Sequence, residues 1–125
     1  MSKLLFADSA GSNFQRLYGK SHVALAGLVP ASLAAPAGSA PAKVADVGLA
    51  LAIPLHSHVG LNYVVSDYVP RALQLPVRVG VAGVTGVMVL GLLKLSFAGP
   101  GVGGTIKRLW RRPEAAAPAP APAAA

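Results

Sequence analysis

The sequence predicts an all-α membrane anchor with three transmembrane helices, and three observations carry that prediction. Of 125 residues, 54% are hydrophobic and only 12% charged, about half the charged share of a soluble domain. The apolar residues fall into three runs, each at or near the length needed to cross a hydrocarbon core of roughly 30 Å. The net charge of +7 sits at the edges of those runs. Basic residues placed there, without interleaved aromatics, favour membrane lipid as a partner and argue against nucleic acid. The absence of cysteine excludes disulfides, thiolate metal sites and cysteine catalysis.

Residues 1–20 read as a matrix-side or interfacial segment. Lys3, Arg16 and Lys20 stand against the single acid Asp8, a composition weakly like a mitochondrial presequence. Phe14, Leu17 and Tyr18 recur at helical spacing beside Arg16, which fits a short interfacial segment leading into the membrane. The transmembrane domain then covers residues 21–106, with helices expected at about 22–36, 44–66 and 78–98. The first run, from Ser21 to Ala42, holds no Asp, Glu, Lys or Arg. Pro30 should kink its helix, and Pro36 and Pro41 should turn it into an extended connection around residues 37–41.

The second run fills the interval between Asp46 and Asp67 without a formal charge, and its length is about one bilayer core, ~30 Å. Pro54 should bend this helix just before His56, and carbonyls freed by a bend are usually satisfied by a neighbouring helix. The third run starts at Val79 and reaches Lys94, which can snorkel only near a headgroup region, so the helix should end within a turn or two of it. Gly80, Gly83 and Gly86 permit close approach of another helix. Residues 107–125 begin with the basic cluster Lys107-Arg108-Leu109-Trp110-Arg111-Arg112, an interfacial anchor, and continue from Pro113 as a Pro/Ala tract expected to be disordered. Lys3, Arg16, Lys20, Arg71 and Arg78 place the N-terminus on the positive side, while the C-terminal cluster favours the opposite orientation. The first helix usually dominates, which favours the N-terminus on the positive side.

Most of the distinctive polar chemistry lies between His56 and Arg71. On one helix, His56 and Asp67 project within about 20° of each other and lie ~16 Å apart along the axis. Gly60 and Tyr63 share their face, so an otherwise apolar helix carries one polar line. A histidine at this depth is costly unless hydrogen-bonded or coordinated, and neutral imidazole is a common axial ligand of haem iron. Both readings of His56 are open on residue type alone. Gly60, one turn on, leaves room for a flat macrocycle. His58 projects about 200° from His56, so the two cannot clamp one iron, and a second axial ligand must come from another chain. Tyr68 reads either as an aromatic-belt anchor or as a phenol donating to a quinone carbonyl. Asp67 reads as a helix stop, as an ion-pair partner of Arg71, or as a carboxylate assisting proton delivery.

The pattern His56-Ser-His-Val-Gly60 followed by Val64-Val-Ser-Asp67-Tyr68-Val resembles the cytochrome b small subunit of succinate dehydrogenase, the small membrane anchor of respiratory complex II. Histidine stands eleven residues before the Asp-Tyr pair and glycine seven before it. Gly27-Leu-Val-Pro30 is similar to the Gly-Leu-Leu-Pro of animal members, and Leu109-Trp110 lies in a comparable short basic end. The resemblance covers about residues 17–112, with its motif content in residues 56–71.

The resemblance implies a subunit, noncatalytic alone, of succinate:ubiquinone oxidoreductase in the mitochondrial inner membrane. It implies His56 as an axial ligand of haem b and its iron, Gly60 as the place of haem packing, Tyr68 as a ubiquinone contact and Asp67 beside it. The implied partners are a large cytochrome b anchor subunit, an iron–sulfur subunit that feeds electrons in, and a flavoprotein subunit. Val59 departs from the tryptophan of animal members and Tyr63 from the glutamine of many. The competing reading is a structural or assembly subunit of another respiratory complex, with His56 only hydrogen-bonded.

Overall fold

The structure, a computed structural model, describes residues 2–111. Arg112 and the Pro/Ala tract expected to be disordered lie outside the described residues. These contain five helices and no strand: α1 (Ser2–Leu5), a 3-10 turn (Ala7–Ser9), α2 (Ser12–Ala34), α3 (Ala40–Tyr68), α4 (Arg71–Ala98) and α5 (Gly101–Trp110). The all-α class is thus as the sequence predicts. α3 packs between α2 and α4 and supplies most of the buried residues. α5 touches α2, α3 and α4 where all three end or begin.

Helix boundaries differ from the sequence expectation in informative ways. α2 starts at Ser12, so Phe14, Leu17 and Tyr18 form the opening turns of the same helix that enters the apolar run. It continues through Pro30 to Ala34, because a proline removes one donor while the rest of the ladder persists. α3 begins at Ala40, with the Ser39 hydroxyl accepting from Ala42 N at 3.3 Å and Pro41 in the first turn, both favourable at a helix start. α4 begins at Arg71, seven residues before its expected start, and ends at Ala98, one turn beyond Lys94. α5 is a separate helix that the apolar runs alone do not predict. The Gly99-Pro100-Gly101 break is its signal: Gly101 has φ +77°, a conformation that disfavours other residues.

α3 and α4 are both long and apolar enough to cross a membrane. α2 has 23 residues, ~34 Å at 1.5 Å per residue, enough length for a third crossing. The most apolar stretch of α4 is only 6% buried, so its outer surface is left for lipid or another chain. Gly80, Gly83 and Gly86 lie on that open surface with nothing near their Cβ positions, and no described helix of this chain uses the close approach they allow. Where α2 and α3 do approach closely, the glycine is Gly48, whose Cβ would come within 3.0 Å of Leu28.

Candidate functional site

The polar line on α3 meets α2. Tyr18, Ser21 and His22 recur at helical i, i+3, i+4 spacing and form one face, and that face covers His56. The His56 ring stacks on Tyr18, with centroids 5.0 Å apart, and meets His22 edge-on at 4.5 Å. Tyr18 also lies 5.9 Å from the Tyr63 ring. At Gly60 an added Cβ would meet only the Tyr18 hydroxyl, at 3.6 Å, an ordinary contact. The internal packing of the chain therefore does not require glycine there. Asp67, the fourth member of the line, lies exposed beyond this cluster.

The hydrogen bonds fix how His56 is presented. The Ser21 hydroxyl donates to the Tyr18 carbonyl at 2.6 Å, and Ser21 Oγ lies 3.0 Å from His56 Nδ1. A hydroxyl has one proton; spent on the carbonyl, it leaves Ser21 to accept from His56 Nδ1–H. Nε2 then carries the ring's lone pair, and among the described residues it has no hydrogen-bond partner. Ligating histidines are commonly held in this way, one nitrogen fixed by a protein group and the other free. The donor set fits one axial position of a haem. Among the described residues no group of three His, Cys, Asp or Glu side chains could hold a metal ion by itself.

His58 is arranged differently. It is 6% exposed, its Nε2 donates to the Leu4 carbonyl at 2.7 Å, and its Nδ1 lies 2.9 Å from the Thr85 hydroxyl. Asn62 Nδ2 donates to the His58 carbonyl at 2.8 Å. Both ring nitrogens lie against partners within the chain, so His58 ties α1, α3 and α4 together and neither nitrogen is left open to a ligand.

Two further polar clusters lie away from the polar line of α3. At the Tyr68 end of α3, Arg78 is 2% exposed. It donates to Asp8 at 2.7 Å, to Ser66 Oγ at 2.7 Å and to Asn62 Oδ1, and lies 4.6 Å over the Phe6 ring. Ser66 also donates to Asp8. Burial pushes the Asp8 pKa up, but the hydrogen bonds from Arg78 and Ser66 and the charge of Arg78 outweigh it and hold the carboxyl below its ordinary value. A basic residue entering an apolar run with no acid on its own helix is the signal that points to this cluster. At the opposite end, buried Asp46 accepts from Ser32 at 2.7 Å and from Gly103 N at 2.9 Å, joining α2, α3 and α5.

Asp67 and Tyr68 close α3 at the Arg78 end. Tyr68 is 81% exposed. Among the described residues the one ion pair is Arg78–Asp8, so the alternative in which Asp67 pairs with Arg71 is not what the structure contains. The structure does not bring Asp67 and Tyr68 onto His56; they sit some three turns further along the helix, ~16 Å and ~18 Å away.

A family model described as CybS, succinate dehydrogenase cytochrome B small subunit, matches residues 6–111. Similar curated proteins include the mitochondrial succinate dehydrogenase [ubiquinone] cytochrome b small subunits of Rattus norvegicus, 36% identical, and Mus musculus, 34% identical, each over 90 residues. That of Homo sapiens is 33% identical over the same length. These matches cover 71% of this chain and 54% of each relative, so the chain spans about half the length of the curated relatives it matches. No solved structure matches it.

Proposed function

The chain belongs to the succinate dehydrogenase cytochrome b small subunit family, and from that premise we propose that it is the three-span anchor of a succinate:ubiquinone oxidoreductase in the mitochondrial inner membrane. Its partners are a large cytochrome b subunit, an iron–sulfur subunit and a flavoprotein. The observation that carries the cofactor part of this reading is the contrast between two neighbouring histidines: His56 keeps a free Nε2 in mid-span, while His58 spends both nitrogens inside the chain.

Haem b, when bound, supplies a one-electron centre near the path from the iron–sulfur subunit to quinone. His56 would hold its iron through Nε2. Ser21 holds the ring against rotation, Tyr18 covers one imidazole face, and the small residue Gly60 leaves space on the same face. A second histidine, from the large cytochrome b subunit, would complete the hold on the iron. At the Arg78 end, Tyr68 donates its phenolic hydrogen to a carbonyl of ubiquinone and Asp67 assists proton delivery. Their exposure in the isolated chain supports a binding site completed by a partner.

Purification of the tagged chain in mild detergent tests this reading. The expected result is copurification of the three partners with a haem b absorption spectrum. Recovery with subunits of a different respiratory complex, and none of these three, would overturn it.

A further inference from the structure

The end of the bundle away from Tyr68 contains a cavity of about 360 Å³ where the connection after α2 and the end of α4 meet the start of α3 and one side of α5. That volume lies in the range of sites that hold small ligands, about 300–1,000 Å³. Lys43, Lys107, Arg108 and Arg111 line it, and the one acid on its wall is Asp46. The Asp46 carboxylate already accepts from Ser32 and Gly103, and the only ion pair among the described residues is at the other end of the molecule. Four cations therefore face one cavity with no described acid paired to them. Lys107 is fixed in place, its Nζ donating to the Ala35 carbonyl at 2.6 Å. Glycines 38, 99, 101 and 104 line the same cavity and leave backbone accessible where larger side chains would fill it.

We propose that this cavity binds the phosphate of an anionic phospholipid headgroup. The ligand chemistry is a phosphate monoanion or phosphodiester, for which clustered Lys and Arg at a membrane edge are suited. The lipid, not a free phosphate, is the favoured source because exposed apolar residues adjoin the lining residues along the chain, Phe97 next to Ser96 and Leu109 next to Arg108. Phe97, Leu109 and Trp110 are 74%, 79% and 86% exposed, respectively, and the latter two lie between the lining residues Arg108 and Arg111. The acyl chains would lie against this apolar surface while the headgroup enters the cavity. The proposal rests on the chain being a membrane anchor but not on haem or quinone binding, so its failure leaves those readings untouched.

The test uses the assembled complex in nanodiscs of phosphatidylcholine, with or without a minor fraction of phosphatidylglycerol. Retained lipid is read by native mass spectrometry. The variant K43Q/R108Q/R111Q removes three cations that make no side-chain hydrogen bond among the described residues, and it leaves Lys107 to cap α2. Wild type should retain phosphatidylglycerol selectively, and the variant should lose that selectivity by roughly tenfold or more, the effect of about 1.4 kcal/mol. The charge-preserving variant K43R/R108K/R111K should keep it, as should K3Q/R16Q/K20Q at the far end. Displacement of the lipid by millimolar inorganic phosphate would overturn the headgroup assignment in favour of a free anion. Equal retention by wild type and K43Q/R108Q/R111Q would overturn the site, as would cross-linking of an acidic partner segment to Arg108 in place of lipid. Should the triple glutamine variant fail to assemble, R111Q alone should still show reduced selectivity, and retention equal to wild type in that variant would overturn the site.

Discussion

His56 Nδ1 lies 3.0 Å from Ser21 Oγ, across thirty-five positions of sequence and between two different helices. This contact decides which imidazole nitrogen is left over. It separates His56 from His58, two residues away, and sets up the first two predictions.

His56→Ala should abolish the haem b spectrum of the purified complex, because it removes the one free Nε2 on the polar line of α3. His58→Ala should keep the spectrum in the fraction that assembles but lower its thermal stability, since it removes buried hydrogen bonds worth about 1 kcal/mol each. Reduced-minus-oxidised spectra and thermal melts of both variants make the comparison. Equal spectral loss at equal stability would remove the ligand assignment.

Ser21→Ala should leave His56 in place but free its ring to rotate and change tautomer. Partners of this kind are typically worth 10–100-fold in metal affinity, so haem should be lost more readily on titration with apomyoglobin. Ser21→Thr, which keeps the hydroxyl, should restore retention. A haem dissociation rate unchanged in the alanine variant would show that packing against Tyr18 alone orients the ring.

Tyr68→Phe keeps the ring and deletes the donor. A hydrogen bond of this kind contributes about 0.5–1.5 kcal/mol, up to roughly tenfold in kcat/KM for ubiquinone. Succinate oxidation by a soluble acceptor should be unaffected. An unchanged quinone kcat/KM in a normally assembled complex would make Tyr68 an interface anchor only.

Asp8→Ala should destabilise the chain by about 3 kcal/mol, because it leaves Arg78 buried without its counter-charge. The same pair gives a pH dependence of definite sign. The native pKa of Asp8 is lowered, so the unfolded state binds the proton more readily. The contribution is full above the ordinary aspartate value of about 3.9 and is lost as pH falls through the lowered native value. Denaturation of wild type and Asp8→Asn in detergent between neutral and acid pH should show the gap in stability closing only in the acid limb. A gap that widens on acidification would reverse the assignment.

Other junctions depend equally on chain geometry. Gly101→Ala should weaken the seat of α5, since its φ is +77° and a Cβ there would overlap the Asp46 carboxylate. Proteolysis within α5 of the assembled variant should then be faster than in wild type.

What the sequence determined by itself is what depends on local chemistry summed along the chain. Runs without charge fix the helical class and the central stretches of α3 and α4, because a backbone in hydrocarbon must satisfy its own hydrogen bonds. The depth of His56 and the Asp67-Tyr68 end follow from spacing on one helix. The tertiary structure decided everything that needs two helices at once. It gave His56 its Ser21 and Tyr18 partners, spent His58 on Leu4 and Thr85, and carried Asp8 across to Arg78. It also turned Asp46, which reads in sequence as the edge of a span, into the buried junction of α2, α3 and α5. The physical reason is that a side chain's hydrogen-bond partners depend on which helix faces it and at what register. Periodicity gives the face but not the neighbour that comes to it.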